Sequence, residues 1–409
     1  MKDGAGASRK PIRRRRVLYA HGFDPATSER YRRIMARSGA ERDDAPPVLS
    51  QVATMSDVSE GWRVTADHGG EKVETVFEIL RYEDIVRQWQ KRPLHKRLWT
   101  GLSSWLGFVL NGGLFRVFAV AKGPFGLFFH PILILAMFIG GGVYAGRLAG
   151  EAAEMYLGAP DWTSQATRAF GAMIGLYLSV KLERTFFGHL MLALFDFMFK
   201  IAKEEFPAGR LEMRVELFAH RIAECVNSAK EKKVDEILIV GHSLGGLVAI
   251  RALSRALEQD IDLTGGRAHV SLLTLGSVAG FVSCHGGIGA DRFEQDVARV
   301  ASDGDLTWVD VSAPRDWFSF GLVDPLLLLA DPPVEARSPR VISAKFGKAT
   351  ADPEDRRTRF RAMGLHMKYL AAPDREGAFD FLSVVSGDQS LEDRYKNRRN
   401  SPRAKMLTS

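Results

Sequence analysis

Apolar residues recur along the chain in three patterns. Short continuous runs at 15–20, 237–240, 268–275, 306–311 and 341–346 read as strands buried on both faces. Residues 62–66 and 73–80 alternate in the β manner around Gly69-Gly70, which predicts a hairpin extending the same sheet. Helical spacing marks 28–38, with Tyr31 and Ile34 on one face, then 83–90 and 211–229. Strands alternating with helices predict the α/β class, with a mostly parallel sheet flanked by helices.

A long apolar stretch interrupts this alternation of strands and helices. From 102 to 201 Phe, Leu, Ile, Gly and Ala dominate. Residues 124–145 carry no formal charge, and His130 is their one strongly polar side chain. At about 1.5 Å per residue this stretch crosses a bilayer core of about 30 Å. A buried helix of a soluble protein is the alternative, but such helices rarely run so far without charge. A second apolar run, 169–180, breaks at Lys181, Glu183 and Arg184 and resumes at 186–199, as one long helix leaving the bilayer or as two partly interfacial segments. Residues 105–120, with Asn111 and Arg116 inside, read as interfacial or re-entrant. Gly142-x-x-x-Gly146 and Gly171-x-x-x-Gly175 would let two helices approach closely.

The strands on either side of this insertion must pair, so both flanks lie on one side of a membrane and the spans are even in number. The simplest arrangement is a transmembrane helical hairpin interrupting one domain. The chain then divides into a disordered start at 1–12, a first part of the α/β domain at 13–100, a membrane insertion at 101–201, a second part of that domain at 202–386 and a basic tail at 387–409.

The strand at 237–240 runs into Gly241-His242-Ser243-Leu244-Gly245-Gly246, and residues 247–253 continue as a helix. G-x-S-x-G between strand and helix makes a turn too tight for ordinary side chains. It lifts the serine hydroxyl above the sheet beside a helix N-terminus, which favours developing negative charge. This stretch resembles the nucleophile elbow of the α/β-hydrolase family in its lipase-like form, and the first strand ends in His21-Gly22-Phe23, which resembles the oxyanion loop of that family. The resemblance covers about 15–90 and 211–382 loosely. The insertion and the missing first two strands of the usual sheet depart from it. It implies a serine hydrolase with Ser243 as nucleophile, the N–H groups of Phe23 and Leu244 as oxyanion donors, and His21, Gly22, Gly241 and Gly245 shaping the turns.

Family order places the acid and then the histidine after the serine. Asp316, just beyond the strand at 306–311, is the preferred acid. Asp324 precedes Pro325 and could simply start a turn, and Asp310 sits inside the strand. Beyond residue 346 the chain has one histidine, His366, in an H-x-x-Y segment resembling that of many lipases. His242 is expected to pack against the sheet, and His285 has no evident partner. The implied chemistry is acyl transfer through an acyl-enzyme, with no metal or organic cofactor.

Composition adds limits. Lys plus Arg number 56 against 49 Asp plus Glu, a net charge of +7. The excess lies in runs: Arg13 to Arg16, Lys91 to Arg97, Arg356 to Arg361, and Arg394 to Lys405. They read as solvated faces or tails, and next to apolar spans as contacts to an anionic membrane. No nucleic-acid signature accompanies them. Two cysteines give no disulfide framework and no metal spacing, and the apolar run 17–20 is too short for a signal-peptide core. Positive charge before the insertion predicts a catalytic domain facing the cytoplasm from a cytoplasmic membrane, such as the bacterial inner membrane. The expected partners are membrane lipids and an ester or acyl-lipid substrate. A thioesterase, acyltransferase or peptidase would use the same triad, and a non-catalytic interaction module remains the reading from another class. Oligomeric state is not legible.

Overall fold

A computed structural model describes residues 10–42, 45–182, 188–205, 207–259, 263, 268–333, 336, 339–347, 361–398 and 400. The basic positions Arg356, Arg357, Arg359, Arg399, Arg403 and Lys405 lie outside the described residues, as do Glu183 and Arg184. Nine strands form one mixed sheet flanked by helices, fourteen of them α-helices among the described residues. This is the α/β class.

Strands β1 (Arg14–Ala20), β2 (Val48–Leu49), β3 (Ala53–Ser56), β4 (Ser59–His68), β5 (Glu71–Leu80), β6 (Glu236–His242), β7 (His269–Leu275), β8 (Thr307–Ser312) and β9 (Arg340–Ser343) lie in the order β2-β4-β5-β1-β6-β7-β8-β9, with β3 also on β4. From β5 to β9 neighbours are parallel; β4 runs antiparallel to β5, β2 and β3. The expected hairpin turns at Gly69 and Gly70, both at positive φ. The continuous apolar runs follow from burial on both faces. Leu18, Ala20, Ile237 and Ile239 enter one core, and Val17, Tyr19, Leu238 and Val240 the other.

Helices α1 (Ser28–Ala40) and α2 (Glu83–Gln90) follow as expected. The insertion comprises α3 (Leu94–Leu110), α4 (Gly113–Val120), α5 (Lys122–Leu157), α6 (Trp162–Lys181) and α7 (Gly188–Ala202), and α8 (Ala208–Asn227) leads into β6. Among the described residues only α5 is both long and apolar enough to cross a membrane as one helix; α3 and α4 pass the same test jointly but are bent by 71°.

Residues 101–201 do not form one separate membrane unit. Phe108, Val117, Phe128, Leu194, Phe197 and Ile201 share a single core with Leu18 and Ile237 of the sheet. The run at 186–199, read as part of one helix leaving the bilayer or as a partly interfacial segment, is instead, over its described part in α7, a buried helix of the protein interior. Asp196 explains the choice. It is fully buried and accepts hydrogen bonds from Arg92 (2.7 Å), Thr100 (2.8 Å) and Ser104 (2.7 Å), an arrangement that lipid could not supply. The part that projects is the hairpin of α5 and α6, with Leu133, Met137, Tyr144, Phe170, Met173 and Tyr177 exposed. Its seam is glycine on backbone. A Cβ on Gly142 would lie 2.0 Å from the carbonyl oxygen of Gly171, and one on Gly175 2.1 Å from that of Phe138.

Both termini enter the core further than expected. Ile12 is buried and donates from its N–H to the Asp388 carbonyl (2.8 Å). Arg15, within a run read as solvated, is buried, paired with Glu236 at 2.5 Å and bonded to the carbonyls of Val385, Gly387 and Gln389. The basic tail expected from 387 therefore begins with packed structure, including a short helix at Leu391–Tyr395 whose Leu391 and Tyr395 are buried.

Candidate active site

Four segments at the C-terminal ends of neighbouring parallel strands meet here. Ser243 stands between β6 and helix α9 (Leu244–Glu258) at φ 59° and ψ −120°, a strained conformation for a residue with a side chain. Its surroundings impose that angle. The Ser243 N–H donates to the Leu275 carbonyl (2.9 Å), and its own carbonyl accepts from Gly246 (3.1 Å) and Val278 (3.3 Å). A Cβ on Gly245 would lie 2.0 Å from the Ala20 carbonyl oxygen, and one on Gly241 2.5 Å from that of Gly245. Glycine at these two positions is therefore a steric requirement.

The His21-Gly22 turn lies against the serine: a Cβ on Gly22 would sit 3.1 Å from Ser243 Cβ and 3.5 Å from its Oγ. Tyr82 fixes the turn by stacking on His21 at 4.1 Å and donating its hydroxyl to the His21 carbonyl. Burial lowers the His21 pKa, so this ring is held neutral. Gln90 donates to the Phe23 carbonyl at 3.1 Å. The backbone N–H groups of Phe23 and Leu244 have no acceptor among the described residues.

Asp316 lies in the loop after β8 and is buried. Its Oδ2 is 2.9 Å from His366 Nδ1 and accepts the Tyr369 hydroxyl at 3.0 Å, while Oδ1 accepts the Phe318 N–H at 3.0 Å. Tyr369 in turn accepts from the Ala313 N–H at 2.9 Å, so the tyrosine of H-x-x-Y locks the acid loop. With Nδ1 donating to the carboxylate, Nε2 carries the free lone pair. That atom is buried and has no hydrogen-bond partner among the described residues.

Ser243 and His366 line one cavity of about 50 Å³ with Gly22, Phe23 and Asp24. Several features of its wall were not expected from the sequence. Leu190, Met191 and Leu194 of α7 form one side, and Phe318, Met363 and Met367 add further apolar surface. Asp24, ion-paired with Arg30, forms a polar corner. The wall from α7 was hidden by reading that run as lipid-facing; the buried carboxylate at 196 was the available signal.

The other candidates fall elsewhere. Asp310 is buried inside β8, accepts from Thr274 at 2.6 Å, and is pushed up to about 7 by burial. Asp324 caps a short 3-10 turn through the Leu326 N–H at 3.0 Å. His242 does more than pack on the sheet. Its Nε2 lies 3.2 Å from the His366 carbonyl, and burial, aided by the nearby His366, lowers it to about 3, so it stays neutral while tethering that segment. His285 sits apart, its ring edge-on to Phe199 at 4.2 Å. No three His, Cys, Asp or Glu side chains converge as a metal site among the described residues.

No protein-family model, curated protein or solved structure matches the chain. The functional reading therefore rests on the geometry of the site.

Proposed function

We propose that the chain is a membrane-anchored serine hydrolase of α/β-hydrolase type that cleaves carboxylic esters, with lipid or acyl esters as substrates. One observation carries this: a buried His366–Asp316 pair presents an unpartnered Nε2 to the cavity that holds a serine forced to positive φ. Burying three polar groups beside a strained backbone opposes stability, and such costs collect where chemistry needs them.

In the reaction, His366 Nε2 takes the Ser243 proton as Oγ attacks the ester carbonyl. Asp316 holds the imidazole in the required tautomer and stabilises the imidazolium. The free N–H groups of Phe23 and Leu244 are the donors for the oxyanion. His366 then protonates the leaving alcohol, and water releases the acid from Ser243 by the same route in reverse. The apolar wall suits an acyl chain, and the projecting α5–α6 hairpin suits a site that works on membrane-borne substrate.

The test is labelling with a fluorophosphonate probe, which reacts only with an activated serine, followed by ester hydrolysis. Wild type should label, and Ser243→Ala should not. His366→Ala and Asp316→Asn should each lose on the order of 10³-fold or more in turnover, while Asp324→Asn should stay close to wild type. An unlabelled wild-type protein, or a Ser243→Ala variant with near wild-type hydrolysis, overturns the proposal.

A further inference from the structure

Helices α3 and α4 are apolar on both faces. One face is accounted for: Ser104, Phe108, Leu114 and Val117 are buried against the protein core. The other is open. Trp99 is 78% exposed, Leu106 50%, Leu110 75%, Phe115 72% and Phe118 50%. Trp99, Leu106 and Leu110 fall on one stripe of α3, and the 71° bend brings α4 in as a second short segment of the same chain run.

Charge along this run of sequence has one sign, with Glu294 of a neighbouring helix the acidic group near Arg116. Between Lys91 and Lys122 the chain has no acidic residue, and Lys91, Lys96, Arg97 and Lys122 bracket the exposed apolar positions, while Arg116 donates to the carbonyls of Cys284 and Asn111. The face also continues into the helix able to span a membrane. Only Ala121 separates α4 from α5, and the Phe118 ring lies 4.7 Å from Phe125. Neither helix alone is long enough to cross a bilayer, and their buried faces tie them to the domain.

We infer that the outer face of α3 and α4 is a docking surface for an anionic lipid bilayer. It seats in the headgroup layer, with Trp99, Leu106, Leu110, Phe115 and Phe118 entering the acyl boundary and the basic residues meeting lipid phosphates. The hairpin anchors the chain, and this face fixes how the domain lies on the membrane. The leading end of α7, which carries Leu190 and Met191 of the cavity wall, packs beside α3, so this attitude brings the cavity close to the lipid surface.

The experiment needs no catalytic activity. Both native cysteines, Cys225 and Cys284, are buried, and burial raises the pKa of both thiols, so an introduced thiol can be labelled selectively. Leu106→Cys and, as a control in the exposed turn between α8 and β6, at the opposite end of the strands from Ser243, Lys230→Cys are labelled with an environment-sensitive fluorophore. Each full chain is reconstituted into phosphatidylglycerol-containing vesicles carrying doxyl-labelled acyl chains. The label at 106 should be quenched several-fold more than the label at 230, and less so in purely zwitterionic vesicles. Equal quenching at the two positions overturns the inference, and equal quenching in the two lipids overturns its anionic part. A Leu106→Glu, Phe115→Glu double variant should lose at least tenfold on a vesicle-borne ester while keeping fluorophosphonate labelling. Loss of labelling in wild type would count against the hydrolase reading alone, because the quenching result stands without it.

Discussion

The two halves of the insertion are made from similar amino acids and hold together differently. In α3, α4, α7 and the first turns of α5 large side chains interlock with each other and with the domain: Phe108 lies 5.0 Å from Phe128 of α5, and Phe195 5.5 Å from Phe281 outside the insertion. A buried carboxylate, Asp196, pins the set with three hydrogen bonds. Beyond Leu135, the α5–α6 hairpin turns large side chains outward, and its seam is backbone on backbone through Gly142, Gly146, Gly171 and Gly175. The physics differs accordingly. Removing apolar surface from water drives the first packing. On the membrane-anchored reading proposed above, that drive is absent between the hairpin helices, and close van der Waals approach takes its place. Apolar content alone thus does not reveal which solvent a helix is made for; glycine seams and buried polar pins do.

Excision should break the comparison most visibly. Replacing 102–201 with a Gly/Ser linker removes α7 and most of α3 from the core, and the product should aggregate and fail to label at Ser243. Replacing only 136–187 should give a protein that stays in solution without detergent and labels normally. Identical behaviour of the two variants would show that the insertion is one unit after all. Next in size, Asp196→Ala leaves the Arg92 guanidinium and two hydroxyls without their acceptor. It should destabilise the domain by about 3 kcal/mol, read as a lower urea midpoint of the solubilised excision variant, with Asp196→Asn milder. The smallest effect belongs to the hairpin. Gly171→Leu forces the helices apart at a cost of about 1–3 kcal/mol. Cysteine crosslinking between α5 and α6 should fall, while turnover of a soluble ester remains within about twofold of wild type. A large loss of turnover would mean that the hairpin and catalytic domain are mechanically joined.

What the sequence made legible was local. Alternation around Gly69-Gly70 gave β4 and β5, and the run before Gly241 gave β6. The G-x-x-x-G spacing anticipated the helix seam, and Asp316 was preferred over Asp310 and Asp324 on its position just past a strand end. The structure brings Asp316 and His366 within hydrogen-bond distance. What stayed hidden depended on distant partners. Arg15 looks like part of a solvated run until Glu236 and the carbonyls at 385–389 are placed around it. The α7 run looks lipid-facing until Arg92, Thr100 and Ser104 are seen to surround Asp196. Tertiary context decides such cases, and no window of sequence contains it.

The pairing of β1 with β6 has a consequence for how the protein is made. The two strands are neighbours in the sheet, yet the entire insertion is synthesised between them. At about 5–20 residues per second, β1 waits many seconds for its partner, with an unpaired parallel edge exposed. Closing the sheet also calls for the carbonyls of Val385, Gly387 and Gln389, because Arg15 is otherwise buried with too few acceptors. The hairpin is therefore synthesised before the sheet can close. A ribosome stalled near residue 380 would hold an unfinished domain, and a short C-terminal truncation would be a folding defect rather than a trimmed tail.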